Sequence, residues 1–333
     1  MMKKFFIFII LCLPLTSLYA QANAPRYMHL VGTLGKVPVT MDLILHNHQV
    51  VGRYYLDRLG QPIFFHDGDF EKEIPNLGKE NFYLAESYGY WEGKIKKNKI
   101  IGTWTSADRK KQLPFELVEN YAQSMQFKPY YFDNSQIVNA NSQVEAQLLF
   151  PFALKNEEVL KQLQTEIGKK VVGIGFPNTL LLNAFQYDVL KKFDSDKEIQ
   201  KVQIQMSIFL NENNLLTISS FQSGTNKKGN TGTIRSQYTT WDLATGKEIT
   251  SKLIFKENHE EELLKILGQV IKRDYDGKVF GNLVTENYGI LRGGIMFVFD
   301  NEYLSTEVFV SYKELVGILK PDSPLQVLFP KKP

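Results

Sequence analysis

Chemistry needs particular side chains at particular spacings, and this chain of 333 residues offers few such sets. His46 and His48 are two apart, and on a strand they would share a face and could hold a metal. They flank Asn47 in an expected hairpin turn, with no carboxylate or third histidine close in sequence, so no metal site is assigned. Asp67, Asp69 and Glu71 have spaced carboxylates that a hard cation could use. They lack the longer ligand series and the closing bidentate Glu of an EF-type loop, and read as a solvated hairpin turn. Gly224-Thr-Asn-Lys-Lys-Gly229 has only the glycine spacing of a phosphate loop, because Asn230-Thr231 stand where Lys-Ser or Lys-Thr is required. Lys227, Lys228 and Arg235 are the cations this loop could offer an anionic partner; the alternative is a charged loop with no partner.

Other reaction signatures are missing. There is no Gly-x-Ser-x-Gly elbow, and His259-Glu-Glu-Glu-Leu263 lacks the second histidine of a zinc-protease helix. His29 and His66 stand alone among strand residues and read as structural. Carboxylate pairs for glycoside hydrolysis meet only in three dimensions, and no feature of the sequence argues for one. The aromatic residues Tyr54, Trp91 and Trp104 can be read in two ways: as filling of a barrel, or as a lined pocket or aromatic face for a glycan or small ligand.

The elements that must carry these residues divide the chain in two. From Arg26 to Glu119 apolar and polar residues alternate, as in Val37-Pro-Val39-Thr-Met41-Asp-Leu43, and turn signals recur about every ten residues. That pattern predicts seven or eight short strands, closed as an up-and-down barrel or curled meander so that no edge is left bare. An internal echo supports it: Val50-Val51-Gly52-Arg53-Tyr54 is repeated 50 residues later as Ile100-Ile101-Gly102-Thr103-Trp104. Glycine two residues before an aromatic lets a ring lie over backbone or lets the strand bend.

The second half mixes signals. Asn156 with Glu157 and Glu158 opens a helix whose apolar residues are Leu160, Leu163, Ile167 and Val171. A second helix is expected at about 179–193. Val202 to Leu210 alternates strictly as a strand, with a turn at 211–214. Two more strands should flank the polar loop 224–232, and a turn follows at Ala244-Thr245-Gly246. Asn258 with Glu261, and Ser311 with Glu314, fit capping boxes that open helices; the second helix should run to Leu319, before Pro321. Residues 325–329 should close the domain as a strand. The fold class is therefore α+β: an N-terminal all-β meander or barrel, then an α+β domain on an antiparallel sheet. The expected organisation is a signal peptide at 1–20, a β-barrel-like domain at 21–122, a linker at 123–143 and the α+β domain at 144–333.

The N-terminus reads as a secretory signal. Lys3 and Lys4 precede an apolar run too short to span a bilayer, and Pro14 and small residues follow at Ala20, Ala22 and Ala24. Removing that signal takes the formal charge from +3 to +1, because only Lys3 and Lys4 are charged within it. A nearly neutral mature protein has no general field to draw nucleic acid or anionic lipid. Cys12, the only cysteine, goes with the signal, which leaves no disulfide and no thiolate ligand or nucleophile. A periplasmic or secreted protein, with no stable membrane insertion after cleavage, is expected.

Two stretches resemble known families. Gly32-Thr-Leu34-Gly35-Lys-Val37-Pro38-Val39, Val51-Gly52-Arg-Tyr54-Tyr55, Ile101-Gly102-Thr103-Trp104 and Leu113-Pro114-Phe115 together resemble a lipocalin-like β module of secreted bacterial proteins. The segment from Val144 onward resembles a bacterial envelope domain of unknown function. That domain also forms the extracytoplasmic part of the lysozyme-sensing anti-sigma factor, and it accompanies some peptidoglycan deacetylases. The matching pieces are Phe150-Pro151, Trp241-Asp242-Leu243 with Thr245-Gly246-Lys247, Leu253-Ile254-Phe255 and the Gly294-Ile-Met-Phe297 strand. Where members often carry a Gly-Gly-Ala-His-like loop, this chain has Gly229-Asn230-Thr231-Gly232, keeping the glycines without the imidazole. The resemblance implies non-catalytic binding or sensing at the cell envelope, with a lysozyme-like protein or a cell-wall glycan as ligand and without a cofactor. The alternatives are a cell-wall-directed hydrolase or deacetylase, or an accessory to one, and a periplasmic small-molecule carrier. The residues assigned to binding are Tyr54, Trp91, Trp104, Lys227, Lys228 and Arg235.

Overall fold

Short antiparallel hairpins follow one another from Arg26 to Glu119 because each alternating run can bury only one face. A computed structural model describes residues 25–46, 49–56, 60–70, 81–132, 137–139, 142–177, 188, 199–226, 231–279, 281–300 and 305–329. Strands β1 (Arg26–Leu34), β2 (Val37–His46), β3 (Gln49–Leu56), β5 (Asp67–Phe70), β6 (Asn81–Glu86), β7 (Gly89–Lys96), β8 (Lys99–Ser106) and β9 (Gln112–Glu119) pair in sequence order. β9 returns to β1, from Leu34↔Phe115 to Leu30↔Glu119, and closes an up-and-down barrel. The two-residue β4 (Ile63–Phe64) lies on β3, and the ring is thinnest beside it, where β3 meets β5 through the Gln49↔Asp69 pair. Asp67 to Phe70 is therefore a barrel strand, not the solvated turn that its carboxylates suggest.

The barrel interior is full. Met28, Leu30, Met41, Leu43, Leu84, Trp91, Ile100 and Leu117 are entirely buried there, with Tyr54 and Phe115 among them. The two echoed glycines are needed for close approach between strands. A Cβ on Gly52 would lie 2.0 Å from the Asp42 carbonyl oxygen, and one on Gly102 would lie 2.0 Å from that of Glu92. Only glycine fits where strands crowd in this way.

The second half is built on a sheet of β10 (Gln126–Phe132), β11 (Ile137–Asn139), β12 (Ser142–Ala153), β13 (Ile199–Glu212), β14 (Leu215–Asn226) and β15 (Thr231–Asp242). The stretch expected to be a linker, 123–143, thus contains β10, which runs antiparallel to β12 from Phe127↔Pro151 to Phe132↔Ala146. One pair departs from the antiparallel expectation: β12 and β13 are parallel, Gln143↔Lys201 to Gln147↔Gln205. Parallel neighbours need a long crossover, and this one includes helix α1 (Glu157–Val172). The Asn156 side chain accepts from the N–H groups of Glu158 and Val159, and Gly173 ends the helix with φ 76°. The buried face of α1 (Val159, Leu163, Ile167, Val171) packs with Leu148, Ile204 and Met206 of the sheet. The helix expected at 179–193 falls outside the described residues, apart from Asp188.

Between β13 and β14, Asn213 and Asn214 both take positive φ, 54° and 58°, as a twist-matched two-residue hairpin requires. The turn is shorter than expected, and Asn211 sits within the strand. A second core belongs to β16 (Asn282–Ile290), β17 (Gly294–Asp300) and β18 (Ser305–Ser311), with α2 (Ser251–Ile254), α3 (Glu260–Asp274) and α4 (Tyr312–Leu315). Ser311 and Glu314 form the expected capping box, although α4 ends at Leu315. Asn258 does not cap α3: it takes φ 56°, and His259 holds the cap position without a side-chain bond. Glu260, Glu261 and Glu262 stabilise that end through the helix dipole. The expected last strand is a 3₁₀ helix, Pro324–Leu328, because Ser323 caps it and proline suits its first turn. Among the described residues no helix is long and apolar enough to cross a membrane.

Candidate ligand cleft at the domain seam

The period of two that fills the barrel also fixes what its outer wall shows. Met28, Leu30, Met41, Leu43 and Tyr54 point inward, so Tyr27, His29, Thr40, Asp42, Arg53 and Tyr55 point outward. All six are nevertheless buried, because the second half of the chain covers this part of β1, β2 and β3. The covering is built from specific bonds. Asn211 donates through Nδ2 to the Tyr27 hydroxyl at 2.9 Å and to the Met125 carbonyl at 2.8 Å, and its Oδ1 accepts from the Met125 N–H at 2.8 Å. The Tyr27 hydroxyl in turn donates to Asp42 Oδ1 at 2.5 Å, and His29 Nδ1 lies 2.8 Å from the same oxygen. Burial and the Asp42 carboxylate together push the Tyr27 phenol far above its ordinary pKa, so it stays a donor. Tyr55 donates to the Phe209 carbonyl, and burial raises its pKa too.

At the other end of the seam Arg292 bridges the halves. Its Nε lies 3.0 Å from Glu212 Oε1, and its Nη1 donates to Thr40 Oγ1 at 3.1 Å. Backbone meets backbone at two glycines: the Gly293 N–H donates to the Gly60 carbonyl at 2.9 Å, and a Cβ on Gly293 would lie 2.4 Å from the Gly60 Cα.

Between these fixed points a cleft of about 310 Å³ opens, with β2 and β3 on one side and β12 and β13 on the other. Arg53, Asp42, Phe64, Gln147, Gln205 and Ser207 are among its lining residues. Arg53 is 5% exposed. Its guanidinium carbon lies 4.2 Å from the Phe209 ring centre and 5.5 Å from that of Phe64, and the two rings meet edge to face with centres 5.8 Å apart, so both pack against the charge from one side. Its Nε and Nη1 are buried without a hydrogen-bond partner. Asp42 is its cross-strand neighbour, but Asp42 Oδ1 is occupied by Tyr27 and His29. A buried, incompletely bonded cation beside a cleft can recognise a negatively charged or strongly polar group. It has no means of breaking a bond by itself.

The aromatic residues singled out by sequence lie elsewhere. Trp91 is fully buried in the barrel, 4.9 Å from Tyr54 ring to ring. Trp104 is half-buried, and its Nε1 donates at 3.0 Å to Glu86 Oε1, which also accepts from the Tyr54 hydroxyl at 3.2 Å. Glu86 Oε2 accepts from the Tyr88 N–H at 2.5 Å. The three aromatics are therefore brought together, around a carboxylate at one end of the barrel. Lys227 and Lys228 lie outside the described residues. Arg235 is a residue of β15 opposite Gln222. His46 stacks on Tyr131 with ring centres 3.9 Å apart, and burial lowers its pKa; His48 lies outside the described residues. Among the described residues no three His, Cys, Asp or Glu side chains gather as a metal site would need.

Sequence reasoning passed over Tyr27, Asp42 and Arg53. By alternation they fall on the face away from the barrel core, which reads as solvent. The one signal that could have found them is that this outer face also carries Tyr27, Tyr55 and Phe64, more aromatic surface than a solvated wall needs.

No protein-family model matches the chain, and no curated protein matches it. Among solved structures it is similar to a member of the DUF3298 family from Bacteroides fragilis NCTC 9343, at 12% identity and a TM-score of 0.49, covering 61% of this chain and 96% of that one. It is also similar to a DUF3298 family protein from Pseudomonas aeruginosa PAO1, at 14% identity and a TM-score of 0.42, covering 62% of this chain and 97% of that one. Both belong to a family defined as a domain of unknown function.

Proposed function

We propose that the protein is a non-catalytic binding or sensing component of the bacterial cell envelope, and that it takes its ligand in the seam between barrel and second domain. The observation that carries this reading is Arg53, a buried guanidinium with two N–H-bearing atoms unpartnered at the edge of a cleft. An uncompensated buried charge is costly, and an anionic group bound in the adjoining cleft offsets it through its own charge. Two further facts support binding here over the alternatives. The barrel interior is occupied by side chains, which leaves little room for a small molecule carried inside it. The His29–Asp42 pair, which has the composition of an acid–base dyad, is tied up within the wall: Asp42 Oδ1 is shared by the Tyr27 hydroxyl and His29 Nδ1. The envelope location rests on the signal-like first twenty residues, and the sensing role on the motifs from Val144 onward.

The test is retention. Immobilised protein is offered an envelope extract, a lysozyme and purified muropeptides, alongside a Ser207→Trp variant that plugs the cleft. The expected result is retention of one of these by the parent chain and its loss in the variant. Turnover of a muramyl substrate that disappears when a single carboxylate is neutralised would replace this reading with a hydrolase.

A further inference from the structure

We propose that the seam cleft is a carboxylate site: it binds a monoanionic carboxylate, with the Arg53 guanidinium as counter-charge and the Gln147 and Gln205 amides contacting the group next to it. The inference rests on the binding reading above and specifies its ligand class.

Charge comes first. Arg53 is the cation that lines the cleft, and Asp42, its neighbour on β2, lines it too. Arg292, another cation of the seam, is already held by Glu212. One guanidinium beside one carboxylate cannot compensate a dianionic phosphate, which is usually met by several cations or by a helix N-terminus. Because Asp42 Oδ1 is engaged by Tyr27 and His29, the guanidinium can still meet a single negative charge. Asp42 in turn opposes a second anionic group close by, which favours a ligand with one charge only.

Geometry narrows the ligand further. The guanidinium rests against Phe209 with Phe64 beside it, and a planar cation packed in this way loses little freedom on pairing with a planar carboxylate. Gln147 and Gln205 face each other across the parallel β12–β13 pair. Each side-chain amide both donates and accepts, so the two can bond an amide unit adjacent to the carboxylate. The volume of about 310 Å³ suits a short fragment and excludes a folded chain. The shared chemistry is an acylated amino acid, free or at the C-terminus of a peptide.

The experiment titrates the full chain with N-acetylalanine, its neutral amide N-acetylalaninamide, a tetrapeptide with a free C-terminus, the same peptide amidated, and inorganic phosphate. Binding is read by calorimetry, and the Arg53 Nε–H resonance is followed by NMR in the unsubstituted protein. Arg53→Gln is titrated in parallel, with its thermal unfolding as a folding control; the NMR readout stands even if that variant unfolds. The expected result is binding of a carboxylate form at least tenfold tighter than its amide, a shift of the Nε–H resonance, and at least a tenfold loss in Arg53→Gln. Tighter binding of N-acetylalanine than of the free-ended peptide assigns the site to small metabolites, and the reverse order assigns it to chain termini. If amides bind as well as acids and the Nε–H resonance does not move, the carboxylate assignment is wrong while the cleft remains a binding site. If phosphate outcompetes every carboxylate, the ligand class is wrong. If no probe binds and Ser207→Trp still retains the envelope ligand, both this assignment and the seam as a site fall.

Discussion

The barrel interior and the domain seam are both buried, both rich in aromatic rings, and both hold a polar atom without a partner. They differ in what that atom is. In the barrel it is the indole N–H of Trp91, which is neutral. The barrel's buried carboxylate, Glu86, accepts from Tyr54, Trp104 and the Tyr88 backbone. In the seam the orphan is a cation: its cross-strand neighbour Asp42 is engaged by Tyr27 and His29, and Glu212 is engaged by Arg292. An unpartnered neutral donor costs about 1–3 kcal/mol, and an unpaired charge costs more. A core can absorb the first through packing. The second is costlier to keep, which is the ground for proposing the seam as the site, with the barrel as its support.

Substitutions can break this comparison. The largest effect is expected in the barrel. Trp91→Ala removes a fully buried indole, and urea unfolding should show a loss of about 3–5 kcal/mol. A loss below about 1 kcal/mol would mean that the barrel does not support the seam. Next comes the glycine contact at the seam. Gly293→Ala drives a Cβ against the Gly60 backbone and should cost about 1–3 kcal/mol, as overpacking does. Hydrogen exchange should speed up at Leu291 and Tyr312 while the amides of β7 and β8 keep their protection. Uniform loosening of both regions would show that barrel and seam do not open separately.

Arg53→Met sharpens the contrast. It exchanges a buried, incompletely bonded charge for an apolar chain of similar length. Stability should stay within about 1 kcal/mol of the parent, because the lost stacking on Phe64 and Phe209 is offset by relief of the unpaired charge. A loss of about 3 kcal/mol or more, the cost of breaking a buried pair, would make Arg53 a structural clamp and remove the reason for placing a ligand beside it.

The smallest effect concerns Glu307, whose carboxyl is pushed above the ordinary range by burial. The folded protein then holds this proton to higher pH than the unfolded chain does. Stability from this site is greatest below the unfolded value and falls as pH rises from there through the folded value. Glu307→Gln should therefore gain on the parent at neutral pH, and the gain should fade as the medium is acidified below about pH 4. Thermal melts across that range measure it, and a gain that grew on acidification would reverse the sign of the argument.

Much of the barrel is legible in the sequence. The alternation of Val39, Met41 and Leu43, and the echoed glycines at 52 and 102, report contacts between strands close along the chain. The α1 cap at Asn156 and the Ser311 capping box are local in the same way. What is not legible involves partners far apart. β10 hides in a stretch rich in Asn, Gln, Ser and Tyr because its pairing partner, β12, supplies the order. Pro324 turns an apparent strand into a 3₁₀ helix. At the site, Asp42 and Arg53 carry the signature of a solvated barrel wall, and no local pattern announces that Asn211 will cover it.

The amino-acid sequence by itself determined a run of short antiparallel hairpins with one face buried, as a barrel or curled meander, because hairpin register and inward-facing residues follow from neighbours a few positions away. It also determined that a chain whose only cysteine is Cys12 forms no internal disulfide and holds together by packing. Only the tertiary structure decided which outer face of the barrel is dry. Burial of a polar wall depends on partners distant along the chain, as in the bond from Asn211 to Tyr27, and the free energy of a charge such as Arg53 is set by that surrounding.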